Sequence, residues 1–381
     1  MHLTQQESFT AESAMKSILC CILILLPAIL ACHSGKKGIS DFIIQRGINI
    51  SHWLSQSDRR GEARKAWFTE KDVDYLANLG FDHLRIPIDE EQMWDEDGNM
   101  MNEAFDLLNQ GLDWCAQYNL RAIVDLHILR SHYFNAEEIP LWTDPDAQEQ
   151  FFNCWRDLSA QLKNRPVSQV AYELMNEAVA DDPEDWNRLL AKAYAVIRET
   201  ESHRVIVIGS NRWQIPDTFD VLKVPPDDPN ILLSFHFYTP MVFTHYKAPW
   251  WRNGSEYTGP VQYPGQIIDE KHLDGYAGTV IETIQQFNGI FNQETLESEL
   301  EKPFQKAETL GLPLYCGEWG SLPTTPEKDW LQWYSDVRSI FDKHGIAWAS
   351  WDYKGDFGIL EKGGGAPKEN LIRVLLDESS R

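Results

Sequence analysis

Thr69-Glu70-Lys71-Asp72, running on to Gly80 and then directly into Phe81-Asp82-His83-Leu84-Arg85-Ile86-Pro87, is the stretch on which the fold turns. Thr69 is a capping residue at the head of a helical segment, and Gly80 stands where that helix must end in a left-handed residue. The seven residues that follow form a short apolar run of strand type with one arginine inside it. The spacing predicts the same alternation along the whole chain. Strand-like runs fall at Arg46–Ile50, Phe81–Pro87, Arg121–His127, Gln169–Asn176, Val205–Gly209, Ile231–Tyr238, Leu314–Gly317 and Ala347–Asp352. Asp144-Pro145, Asp182-Pro183 and Thr325-Pro326 each place a capping side chain before a proline at the first helical position. Asn119, Gly311 and Gly345 stand at helix ends just before strands. After Pro326, Trp330, Trp333, Tyr334, Val337, Ile340 and Phe341 recur at helical spacing and read as core.

Eight strand–helix units in about 340 residues predict a (β/α)8 barrel, a single domain over residues 39–381. A doubly wound open sheet would use the same alternation, but no glycine-rich phosphate loop follows the first strand. One long insertion, residues 239–293, separates the sixth strand from its helix. It carries Tyr246, Trp250, Trp251, Tyr257 and Tyr263, and an irregular loop of such length usually has a function.

A formal charge of −24 repels phosphates and argues against sequence-independent nucleic-acid binding. The 15 tryptophans and 13 tyrosines supply flat amphipathic rings suited to planar, hydroxylated ligands. At the N-terminus, Met15-Lys16 precedes an apolar run from Ile18 to Ala31 that is too short for a stable membrane span. It ends in Ile29-Leu30-Ala31-Cys32, which resembles a bacterial lipoprotein signal cleaved before a lipidated Cys32. On that reading residues 1–31 are a signal segment, with Met15 as an alternative start, and residues 32–38 a tether. The protein is then exported and anchored in a bacterial membrane, facing either the cell surface or the periplasm. An ordinary secretory signal with an incidental cysteine is the alternative. Beyond the signal, Cys115, Cys154 and Cys316 contain no CxxC pair, and whether Cys115 bridges Cys154 stays open.

In a barrel, polar residues at the carboxyl ends of the strands converge on one mouth. Those positions hold Arg85, His127, Asn176-Glu177, His236 and Tyr238, Glu318, and Trp351. Two carboxylates across one mouth suit acid/base chemistry with the second as nucleophile. His127 and His132 do not form an HExxH pair, and there is no Gly-x-Ser-x-Gly turn, so neither a metal hydrolase nor a serine hydrolase is indicated and no metal or cofactor is expected.

From Arg46-Gly47-Ile48-Asn49 on the first strand to Trp351 on the eighth, the chain resembles glycoside hydrolase family 5, the cellulase-type (β/α)8 glycosidases. The resemblance rests on Asn176-Glu177 after the fourth strand and Glu318 after the seventh, with Arg85, His127, His236, Tyr238 and Trp351 in matching order. It implies a retaining β-glycosidase acting on a β-linked polysaccharide, foremost an endo-β-1,4-glucanase, with β-mannanase or β-1,3-glucosidase as alternative specificities. Glu177 would be the acid/base and Glu318 the nucleophile held by Arg85 and Tyr238. Asn176 would bind the sugar 2-hydroxyl, Trp351 would floor the cleaved sugar, and His127 and His236 would line the same subsite. His52 and Trp53, just after the first strand, are further candidates for sugar contact, as are Trp250 and Trp251 in the insertion. A surface lipoprotein that binds glycan without turnover is the rival of another class, and the presence of both glutamates argues against it.

Overall fold

The computed structural model describes residues 41–377. Eight parallel strands close into a barrel: β1 (Arg46–Asn49), β2 (His83–Asp89), β3 (Arg121–Ile128), β4 (Val170–Glu173), β5 (Ile206–Gly209), β6 (Ile231–Phe237), β7 (Leu314–Trp319) and β8 (Ala347–Ser350). Each strand pairs with its neighbour in sequence, and β8 closes onto β1. The eight predicted runs are all present. The fourth ends earlier than expected, at Glu173, so Asn176 and Glu177 sit on the loop after it.

Alternation along the strands divides the molecule into an inner and an outer layer, because successive side chains point to opposite faces. Ile123, Ala171, Val207, Leu232, Tyr315 and Ala349 form an inner apolar cluster joined by Phe42. Leu84, Ile86, Tyr172, Ile206, Ile208, Leu233, Phe235 and Trp348 face outward into the larger core beneath the helices. Two residues further along each strand the inner layer turns polar. On β3 the inward series is Ile123, Asp125, His127, which runs from core to mouth. On β6 it is Leu232, Ser234, His236.

Strand β7 breaks this rule. Its register with β6 shifts between Phe235 and His236, so that Phe235 faces Cys316 but His236 faces Glu318. Counted by twos from Tyr315, Glu318 would point into the helical layer. The bulge at Gly317 brings it into the barrel, as bulges beside active sites commonly re-aim a side chain. Gly317 is required there: a Cβ would lie 2.9 Å from Ser234 Oγ and 3.2 Å from His236 Nε2.

The helices start and stop largely where their signals lie. Thr69 and Asp72 form a reciprocal capping box, Asp144 accepts from Asp146 N–H and Asp182 from Glu184 N–H. Gly80, Gly311 and Gly345 are left-handed C-caps, and Asn119 has φ 58°. The helix Glu327–His344 begins one residue later than expected, with Pro326 rather than Thr325 at the cap. Cys115, Cys154 and Cys316 are all buried free thiols, so Cys115 and Cys154 do not pair. The 239–293 insertion is folded, with helices Met241–Thr244 and Gly278–Phe287 and a two-stranded ladder of Gly265–Gln266 with Ile290–Phe291.

Candidate active site

Arg85 organises the mouth. Inward-facing on β2 and fully buried, its guanidinium meets carboxylates from three strands. It donates to Glu318 Oε1 at 2.7 Å and to Glu173 at 2.7 and 3.1 Å, and its Nη2 lies 3.0 Å from Asp125. It also donates to Asn49 Oδ1 at 2.9 Å and Asn176 Oδ1 at 2.8 Å. A planar fork of five donors is the side chain that can serve so many acceptors at once.

Glu318 is therefore held on both oxygens. Arg85 takes Oε1, and the Tyr238 hydroxyl donates to Oε2 at 2.9 Å. Burial pushes its carboxyl upward, and the Arg85 charge opposes that push most strongly. Glu177 has no such partner among the described residues. Its Oε1 lies 2.9 Å from His236 Nδ1, whose ring burial holds well below the usual histidine range and so neutral. Burial first and the negative Glu318 second raise the Glu177 carboxyl well above the ordinary range.

Oxygens of Glu177 and Glu318 and a His236 nitrogen all lie within 4.8 Å of one another. Among the described residues this trio is the one group close enough to hold a metal ion. Its donor chemistry argues otherwise, since Arg85 and Tyr238 already occupy both Glu318 oxygens. Asn176 turns its Oδ1 to Arg85, while its buried Nδ2 has no partner among the described residues. A buried donor of this kind calls for a hydroxyl from outside.

Trp351, partly exposed at the end of β8, lies parallel to the His127 ring, with planes 5° apart and centroids 5.6 Å apart. His127 Nδ1 stands 2.7 Å from the Asp125 carboxylate, and burial lowers the ring to about 3, so the neutral ring keeps its proton on Nδ1. Its Nε2 is then an acceptor, facing the Gln56 amide at 3.2 Å. A flat ring flanked by hydrogen-bonding edges is a surface suited to a planar, hydroxylated ligand.

A model of the cellulase family, glycosyl hydrolase family 5, matches residues 43–356, nearly the whole of the described chain. The chain belongs to glycosyl hydrolase family 5. This glycoside hydrolase is 32% identical over 339 residues to Endoglucanase C of Acetivibrio thermocellus, covering 86% of this chain and 97% of that one. It is 28% identical to Cellodextrinase A of Ruminococcus flavefaciens, over 80% and 84% of the two chains. Its fold superposes on the endoglucanase Cel5A of Thermotoga maritima with a TM-score of 0.71, 24% identity and coverage of 88% and 98%.

In this family 5 hydrolase the remaining candidates divide. Trp53 is wholly buried against Phe68, at 4.9 Å between centroids, with Gly111 making room for its ring. It packs the core and offers no face to sugar, which corrects the sequence expectation. His52 is partly exposed near the mouth and bonds the Gln56 carbonyl at 3.0 Å. Trp251 is 8% exposed and packs on Phe287, so it is also structural. Trp250 is 48% exposed, and its ring neighbours are His245 and Phe357, which in turn touch Tyr238. Cys32 and its segment lie outside the described residues.

Sequence reasoning missed Glu173, Asp125, Asn49 and Gln214. The first two had a signal, because a lone acid inside an apolar strand of a barrel needs a buried cation. Gln214 had none, since it reaches the site only through an unusual backbone path.

Proposed function

We propose that this chain cleaves internal β-1,4 bonds of a glucan with net retention of configuration, Glu177 acting as acid/base and Glu318 as nucleophile. The observation that carries the reading is the approach of the two carboxyls to within 4.8 Å, with Arg85 and Tyr238 bonded to Glu318 and not to Glu177. Retaining glycosidases hold their carboxyls about 5–5.5 Å apart, whereas an inverting enzyme needs room for a water between them.

The chemistry follows from the two environments. Glu318, ionised beside Arg85, attacks the anomeric carbon as the bond to the leaving oxygen breaks and Glu177 gives that oxygen its proton. Water then enters, loses a proton to Glu177 and displaces Glu318 from the same carbon. The unpartnered Asn176 Nδ2 is placed for the sugar 2-hydroxyl, a bond that strengthens in the transition state. Trp351 floors the sugar, and His127 and His236 border it. The preference for an internal β-1,4-glucan bond is supported by the endoglucanase relatives, and the exposed ring of Trp250, whose neighbours His245 and Phe357 touch Tyr238, is the proposed further sugar contact. An NMR time course on a soluble cello-oligosaccharide tests the reading: the first product should carry the β configuration, and an α product would overturn it.

Export and lipid attachment at Cys32 are also proposed. Their support is the apolar run from Ile18 to Ala31 closing on Ile-Leu-Ala-Cys.

A further inference from the structure

Three consecutive residues after β5, Arg212, Trp213 and Gln214, lie in the left-handed region with φ of 55°, 60° and 54°. Each carries a Cβ that this backbone crowds, and such strain persists only where surrounding contacts over-determine it. Here several of the contacts lead to the loop bearing Glu177, whose own φ is 44°, while the Trp213 indole donates to Phe134 O at 2.9 Å. Asn211 exchanges two bonds of 2.8 Å with the backbone of Ala180, and Trp213 N–H donates to Ala178 O at 3.3 Å.

Gln214 is the end point of that path and is fully buried. Its Oε1 accepts the Glu177 backbone N–H at 2.9 Å. Since that N–H can only donate, the amide nitrogen must face the other way, where it meets Glu173 Oε1 at 3.3 Å and Ser234 Oγ at 3.2 Å. Glu173 is the partner of Arg85, and Arg85 holds Glu318. One side-chain amide thus joins the backbone of one glutamate to the clamp on the other. Gly209 leaves the space for it, because a Cβ there would overlap the Gln214 side chain.

We infer that Gln214 is a positioning residue that sets the Glu177 carboxyl relative to Glu318, and that the left-handed turn at 212–214 serves to deliver it. The inference rests on the proposed roles of Glu177 and Glu318. Gln214→Asn keeps the amide but is one methylene too short to span Glu177 N–H and Glu173. The full chain and this variant are compared on a cello-oligosaccharide and on dinitrophenyl β-cellobioside, whose leaving group needs little protonation. The variant should lose about 10- to 100-fold in kcat/KM on the oligosaccharide and less than about 5-fold on the activated substrate. The alkaline limb of its kcat/KM profile should move to lower pH, as a loosened Glu177 gains water. Equal losses on both substrates with an unmoved limb would mean that Gln214 only packs, and the inference falls. If Gln214→Asn does not fold, Ser234→Ala, which removes one amide partner, should change the substrate ratio and the limb in the same directions, by about 3-fold in the ratio. No change in either overturns the inference. Glu177→Ala, run alongside, separates the two levels: if it loses activity equally on both substrates, the role of Glu177 is wrong, whatever Gln214 does.

Discussion

Glu177 and Glu318 bring carboxylate oxygens within 4.8 Å of each other, yet only Glu318 touches a cation. Two like charges that close cannot both ionise freely, and the guanidinium decides which one does. Because Arg85 is fixed by Glu173, Asp125 and Asn49 as well as by Glu318, the asymmetry is built into the barrel rather than induced by substrate. Two acids whose environments differ in this way are suited to separate acid and nucleophile roles, which supports the proposed assignment of Glu177 and Glu318.

Removing the acid should spare substrates that need no acid. Glu177→Ala is expected to lower kcat/KM on a cello-oligosaccharide by about 10²- to 10⁴-fold and to affect dinitrophenyl β-cellobioside far less. Steady-state kinetics on the two substrates checks this, and azide should restore part of the activity on the activated one by attacking the glycosyl-enzyme.

The pH dependence of stability has a definite sign. Burial and Glu318 raise the folded pKa of Glu177 above its unfolded value, so the native state binds this proton more tightly. The contribution of the group to stability is fully present below about pH 4.3 and is lost as pH rises toward the raised native value. Glu177→Gln is neutral at every pH and escapes that loss. Calorimetry should show it melting about 2 °C above the parent at pH 7 and level with it near pH 4, while activity on polymer disappears.

Arg85→Lys retains a charge and loses the fork. One ammonium cannot serve Glu318, Glu173, Asn49 and Asn176 together, so buried acceptors are left unpaired. Stability should fall by about 3–5 kcal/mol in urea unfolding, and kcat by about 100-fold because Glu318 is no longer held in line.

Adjacent tryptophans in the insertion should behave in opposite ways. Trp250→Ala removes an exposed ring and should weaken cleavage of long glucans about 10-fold, leaving short activated substrates and the melting temperature almost unchanged. Trp251→Ala empties a packed site against Phe287 and should cost about 3–5 kcal/mol, seen as a lowered melting temperature, with kcat/KM of the surviving protein near normal.

For the proposed anchor, Cys32→Ser in the producing bacterium should move the protein out of the membrane fraction or stall its processing. Fractionation identical to that of the parent would leave a plain signal segment.

The alternation of apolar runs with capped helices was enough to determine the barrel, because strand and helix periods and caps are local properties of the chain. The same logic placed Arg85, His127, His236 and Glu177 near one mouth, since strand ends in a closed parallel barrel have nowhere else to go. Tertiary structure decided what local pattern cannot express. Trp53 and Trp351 each follow a barrel strand, but one is sealed under Phe68 while the other faces the mouth, a difference set by which elements pack above them. Glu318 points inward only because the ladder between β6 and β7 slips at Gly317, and a slip is a relation between two strands, invisible in either alone. Gln214 joins the site through a backbone path that its residue types disfavour, so nothing short of the folded neighbours that hold it there could have revealed it.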